Sequence, residues 1–246
     1  MKAYFLLIIL FFLISVLRGE EVLELNFFNY PEFDFLDMRN IVSDIQKAVA
    51  DSVQQVNFFS GRILKNKVSD IYILTFLNTI PCNYACPTDY LFSITNRGLN
   101  FSLLAANINC EQIDILENTI IEADSMKIGV FSLYSPDFMV KKNIPETVRF
   151  NFDVFNVAYK NARKLAIKSD YVIMISSLSK FIDQDIVSNL PVDTVISFDY
   201  QKKDNGILPN ERTHFFSILS KHRIYGKLRL IYRNGSITHH WSEHQF

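Results

Sequence analysis

TDYLFSITNRGLNFSLLAANI, residues 88–108, is the stretch on which the fold turns. Tyr90 to Ile94 and Leu103 to Ile108 read as short strands set around a helical turn. Toward the N-terminus, Val22 to Phe28 and Gln55 to Phe59 read as buried strands. Between them Met38, Ile41, Val42, Ile45, Ala48 and Val49 fall at helical spacing, with Arg39, Asp44, Gln46 and Lys47 on the opposite face. Ser69 can cap a further helix carrying Ile73, Leu74, Phe76, Leu77 and Ile80. Toward the C-terminus, Thr119 to Glu122 and Lys127 to Tyr134 predict a hairpin turning at Asp124-Ser125. Val154, Phe155, Ala158, Ala162 and Leu165 mark a long helix, and Tyr171 to Ile175 and Thr194 to Ser197 two buried strands. Phe215 to Leu219, Lys227 to Tyr232 and Ser236 to Trp241 predict a closing antiparallel set with Asn234-Gly235 as its hairpin turn. Strands and helices alternate early and strands dominate late, which predicts an α/β fold, a layered sandwich of mixed β-sheets flanked by helices. Phe27, Phe28, Phe58 and Phe59 are expected in its core.

The first residues carry a different signal. Met1 and Lys2 precede an almost unbroken apolar run from Tyr4 to Leu17, ended by Arg18, Gly19, Glu20 and Glu21. That run is short of the roughly 20 apolar residues a spanning helix needs and fits the core of a signal peptide. The small-x-small pattern of a cleavage site is not clean there, so residues 1–19 read as a signal peptide or an uncleaved N-terminal anchor. Residues 20–246 then form a single exported domain, periplasmic or extracellular, that touches a membrane only through that segment. Lys2 and Arg18 are the charges of the leader, so removing it takes the formal charge from −1 to about −3. A weakly acidic domain has no electrostatic footprint for nucleic acid. The 7 glycines among 246 residues argue against glycine-rich phosphate loops and repeat arrays.

Cys82, Cys86 and Cys110 are disulfide candidates in an exported chain. Cys82 and Cys86 form a proline-flanked CxxxC that lacks a neighbouring histidine for zinc; a thiol-redox role is the lesser reading. His239, His240 and His244 look metal-like, but the segment reads as strand, which speaks against a site there. His214 and His222 read as surface or interface histidines. Asn100-Phe-Ser and Asn234-Gly-Ser fit the N-glycosylation pattern.

The order of elements resembles the metallophosphoesterase (calcineurin-like) domain of the secreted 5′-nucleotidase family. Residues 88–108 are similar to its YDAMTLGNHEFDxG…LLSANI run, Met126 to Leu133 to its KIGVIGL strand, and Asp170 to Ser179 to DVVIVLSHLG. Val192 to Gln201 is similar to VDVIIGGHSH, and YGKLRLIYRNGSI to the closing GRLDLxxxDGxI hairpin. The resemblance implies a two-metal phosphoesterase site of aspartate, asparagine and histidine ligands. It also implies that residues 20–246 correspond to the metal-binding domain, with no counterpart of the base-gripping second domain.

Residue by residue, that site is degenerate. The first aspartate falls on Asn29 and the following histidine on Pro31. The bridging aspartate falls on Arg62, after Gly61. Asn96 matches the GNHE asparagine, but the next two positions are Arg97 and Gly98. The histidine of SHLG becomes Ser177, and those of GHSH become Asp199 and Gln201. A guanidinium offers no lone pair and repels cations. The chain therefore reads as a pseudoenzyme with no catalytic residue, no metal ligand set and no cofactor, a binding or scaffold protein. Its expected partner is a protein or an anionic small molecule, the latter held by Arg62 and Arg97. An atypical metal-dependent phosphoesterase is the alternative, and only under it does a divalent metal enter.

Overall fold

In the computed structural model, the described residues are 20–33, 35–49, 54–63, 70–86, 98–135, 146–198, 206–207, 212–218 and 224–245. Two mixed sheets stack face to face. The first contains β1 (Glu21–Phe33), β2 (Gln54–Ile63), β3 (Tyr84–Ala85), β4 (Ser102–Leu104), β6 (Ile115–Leu116), β14 (Ile224–Arg233) and β15 (Ser236–Gln245). Its order is β15-β14-β1-β2-β3-β4-β6, parallel from β1 to β6, with the β14–β15 hairpin antiparallel at one edge. The second contains β7 (Asn118–Ala123), β8 (Met126–Leu133), β10 (Tyr171–Ser176), β11 (Thr194–Ser197), β12 (Gly206–Ile207) and β13 (His214–Ser217). Its order is β12-β13-β11-β10-β8-β7, with β8, β10, β11 and β13 parallel. β5 (Ile108–Cys110) and β9 (Val148–Phe150) form a separate antiparallel pair.

The alternation of side chains along buried strands sorts them between two cores. Leu25, Phe27, Leu228 and Leu230 of the first sheet join Ile128, Val130, Ile173 and Ile175 of the second in one buried cluster. Phe131, Met174, Val195 and Phe215, on the other face of the second sheet, pack on α3 (Val154–Ala166) and α4 (Lys180–Val187) through Ala158, Ala162, Leu165, Ile186 and Val187. α3 starts where Asp153 accepts a hydrogen bond from the Asn156 N–H, and α4 where Ser179 does so from Ile182. α1 (Phe35–Ala48) and α2 (Asp70–Thr79) contribute Ile41, Ile45, Phe76 and Leu77 to the first cluster. Among the described residues, no helix is long and apolar enough to cross a membrane.

Most expected elements are present, including the β7–β8 hairpin with Asp124 at φ 40° and the β14–β15 turn with Asn234 and Gly235 at φ 53° and 82°. Phe27, Phe28, Phe58 and Phe59 are buried. Four expectations are corrected. The segment at Phe215 does not join the closing antiparallel set: β13 pairs in parallel with β11 in the other sheet. Phe155 lies on the solvent side of α3, half exposed, and Asp44 is buried on α1 rather than facing water. The expected disulfide is absent, and Cys82, Cys86 and Cys110 are free. Cys82 precedes β3 and Cys86 follows it, so extended backbone holds them apart, while Cys110 ends β5 in the separate strand pair. The expected strand at Tyr90 to Ile94 and the Ser69 cap lie outside the described residues.

Candidate functional site

Parallel strands of an α/β sheet carry their chemistry at their C-terminal ends. Toward the C-terminal end of β1 stands Asn29, 2% exposed, paired in register with Ser60 of β2. Its side-chain amide donates to the carbonyl of Ile218, 3.2 Å away, just past β13. Its Oδ1 is buried and has no hydrogen-bond partner among the described residues. Beside it the Cys86 thiol is hydrogen-bonded to Ser60 and Tyr134, and burial pushes it up to about 11 despite those bonds. A thiol so placed is protonated at neutral pH and a poor nucleophile. Cys82 is pushed up to about 12, again by burial.

At the end of β10, Ser177 serves the backbone. Its Oγ accepts from the Ser135 N–H at 2.9 Å, and its own N–H donates to Leu133 O. It ties the loops after β8 and β10 together and is not held out as a ligand. One residue earlier, Ser176, Ser197 and Ser217 stand in register across β10, β11 and β13, all buried. The Ser176 hydroxyl donates to Asp183 Oδ1 of α4 at 2.6 Å and accepts from the Leu178 N–H at 3.0 Å. This polar row, the last residues of the three strands, is buried on the face of the helix layer.

Arg62 lies in β2, and its side chain is outside the described residues, as are Asn96, Arg97, Asp199 and Gln201. The structure thus brings Asn29 together with Ser60 and Cys86, places Ser177 in a loop-tying role, and leaves convergence of the two arginines untested. Among the described residues, no group of three or more His, Cys, Asp or Glu could hold a metal ion. The described donors at these strand ends are an amide oxygen, hydroxyls and protonated thiols. Divalent ions are held by carboxylates, imidazoles or thiolates, so these residues do not fit a two-ion centre.

A second cluster, which the sequence reading missed, sits at the opposite ends of the second sheet's strands. His214, Tyr171 and Thr194 open β13, β10 and β11, and His239 of β15 reaches them from the first sheet. The Tyr171 hydroxyl lies 2.6 Å from Thr194 Oγ1 and 3.2 Å from His239 Nδ1. Burial raises the Tyr171 pKa, and burial, then His214 and His240, hold His239 down at about 4. Asp193, whose carboxylate accepts from the Val172 N–H at 2.7 Å, is raised by burial. No spacing in the sequence brings His214 and His239 together; the stacking of two sheets does.

No protein-family model matches the sequence, and no curated protein matches it. Solved structures do. The fold superposes on a 5′-nucleotidase precursor of Thermus thermophilus with TM-score 0.69 at 12% identity, covering 90% of this chain and 54% of that one. It superposes on the NAD nucleotidase of Haemophilus influenzae with TM-score 0.62 at 13% identity, covering 93% and 50%. A phosphatase of Mycoplasma pneumoniae gives 0.58 at 10% identity, covering 92% and 94%. The chain has the fold of these nucleotidases and phosphatases. It spans about half the length of the two nucleotidases.

Proposed function

We propose that this chain is an exported binding or scaffold domain built on a phosphoesterase fold that has lost its chemistry. The observation that carries the reading is Asn29. It occupies the β1 position where the resemblance puts a metal-binding aspartate, and its amide is turned to the Ile218 carbonyl. One neutral oxygen replaces a charged ligand, and Arg62 brings a fixed positive charge to the same end of the adjacent strand. A further argument for binding is an open groove of about 660 Å3 between the β5–β9 pair and the start of α3, lined by Asn109, Arg149, Phe152 and Asp153 among others. Phe152 is 65% exposed, with exposed Phe155 and Tyr159 beyond it on α3. Clustered exposed aromatics of this kind mark contact surfaces.

In this reading Arg62 and Arg97 hold a phosphate, sulfate or carboxylate where the resemblance puts two metal ions, with Asp199 as the competing internal partner. The test is metal analysis after dialysis against zinc and manganese, with a nucleotide-hydrolysis assay on the same sample. Substoichiometric metal and no turnover are expected. Two metals per chain, or turnover lost on Asn96→Ala, overturns the reading in favour of an atypical phosphoesterase. Phosphate is expected to raise the melting temperature of the wild type and not of Arg62→Ala.

A further inference from the structure

We infer that the outer face of the helix layer, formed by α3 and α4, docks on an anionic lipid surface. Among the described residues, the large apolar side chains that stand exposed are Phe152, Phe155, Tyr159, Ile167 and Phe181. Every one of them belongs to this layer. Phe152 precedes α3, Phe155 and Tyr159 stand on it, Ile167 closes it, and Phe181 lies in the first turn of α4. Both helices pack on one face of the second sheet through Ala158, Leu165, Ile186 and Val187, so their other sides form an outside surface. Ile167 is 85% exposed and Phe181 72%. Apolar side chains left in water forfeit the gain of burial, and gathered on one face they mark a contact surface.

The helical repeat orders this face. Residues four apart lie one above another along a helix. Phe155, Tyr159, Arg163 and Ile167 make one such row, and Asn156, Lys160, Lys164 and Lys168 make the row beside it; all eight are exposed. The Arg163 guanidinium lies 4.7 Å from the centre of the Tyr159 ring. Lys160 reaches Glu117 at 3.2 Å, an exposed pair of the kind that contributes little and yields to other anions. Residues 154–168 hold four cations and no carboxylate, in a chain whose formal charge is −1. On α4, Asp183 is buried against Ser176, and Asp185 is the one exposed carboxylate of the two helices. An apolar row beside a cationic row is the pattern of a helix that lies in a membrane surface. Aromatic rings settle at headgroup level there, and lysine stems run along the apolar boundary with the ammonium among the headgroups. A protein partner could cover the same face, but protein interfaces are depleted of lysine, whereas anionic lipid gathers it. Each cation near such a surface strengthens binding about fivefold, a gain that salt screens. This contact is additional to the one expected at residues 1–19. It rests on the contact surface proposed above and not on the proposed loss of metal.

The test uses residues 20–246, which hold every described residue and lack the apolar leader. The probes are vesicles of phosphatidylcholine alone, or of phosphatidylcholine and phosphatidylglycerol in equal parts. Co-sedimentation is expected with the mixed vesicles at low salt and not with phosphatidylcholine, and is expected to fall as salt rises. Arg163→Gln with Lys164→Gln is expected to weaken binding about thirtyfold. Ile167→Ser with Phe181→Ser is expected to weaken it at least about tenfold, and Asp185→Lys to tighten it. All five positions are exposed, so melting temperatures near that of the wild type are expected. The emission of Phe181→Trp is expected to move to the blue with mixed vesicles, relative to the wild type, whose one tryptophan is Trp241. No co-sedimentation, equal binding to both kinds of vesicle, or binding untouched by both double variants overturns the inference and leaves the face to an acidic protein partner. Metal content, which tests the proposed function, is measured apart from vesicle binding, so either reading can fail without the other.

Discussion

The imidazole of His239 stands edge-on to that of His214, with ring centroids 4.0 Å apart, and the contact joins the two sheets. Burial, and after it the neighbouring His214 and His240, lower the His239 pKa from 6.5 to about 4. The unfolded chain then binds this proton more readily than the fold does. The contribution is complete above pH 6.5 and is lost as pH falls toward 4. For a half-exposed ring the loss is about 1 kcal/mol after allowance for solvent screening. Asp193 has the opposite sign, since a raised carboxylate pKa gives stability that is lost as pH rises. Comparing melting temperatures of wild type and His239→Gln between pH 7 and 4 isolates the imidazole. A flatter profile is expected for the variant; parallel profiles would remove His239 as the cause.

Asp183 is fully buried in α4 and accepts the Ser176 hydroxyl. Ser176→Ala takes the donor from that buried carboxylate and the acceptor from the Leu178 N–H, whereas Asp183→Ala leaves a hydroxyl that keeps the Leu178 N–H. The expected cost is about 3 kcal/mol for Ser176→Ala by denaturant unfolding, against about 1–2 kcal/mol for Asp183→Ala. A larger cost for Asp183→Ala would mean that Asp183 acts chiefly through other contacts.

The thiols give a third test. Cys86 and Cys110 are buried, and Cys82 is partly covered. With Cys82 and Cys86 protonated at neutral pH, native protein prepared without reductant is expected to react slowly with a thiol reagent and to titrate all three cysteines once denatured. A single titratable thiol after denaturation would restore the disulfide expected from the sequence.

What was legible in the sequence divides along physical lines. Short unbroken apolar runs such as YVIMIS and period-3.6 runs such as the one on α3 report burial that local geometry controls, and both elements are present. The hairpin turn Asn234-Gly235 was legible because left-handed backbone demands those residue types. The pairing of β13 was not, since HFFS is apolar on both faces and says nothing of its neighbour. Gly226 was equally silent: the Trp241 ring of the neighbouring strand stands where its Cβ would go, a close approach that only the folded sheet creates. At the strand ends, Asn29 and Ser177 could be read as residue types. Their use on Ile218 O and Ser135 N could not, because both partners come from loops distant in sequence.

The pair of Glu24 and Lys227 provides the last prediction. Lys227 Nζ lies 2.9 Å from Glu24 Oε2 across β1 and β14, with side chains 11% and 9% exposed. Gln55 donates to the same oxygen at 3.4 Å, and Arg229 stands 3.9 Å from Oε1. Desolvating both ions offsets most of their attraction, so the intact pair adds little net stability. Breaking it is a different matter. Lys227→Met leaves a buried carboxylate with only Gln55 and the half-exposed Arg229 against it among the described residues, and Glu24→Leu leaves a buried ammonium; each is expected to cost about 3–5 kcal/mol. Replacing both together removes two charges and supplies apolar volume, and is expected to come within about 1 kcal/mol of wild type. Urea unfolding of the four proteins in that cycle measures the coupling. Additive single costs would show that Glu24 and Lys227 act independently, with the carboxylate answering to Arg229 and Gln55 instead.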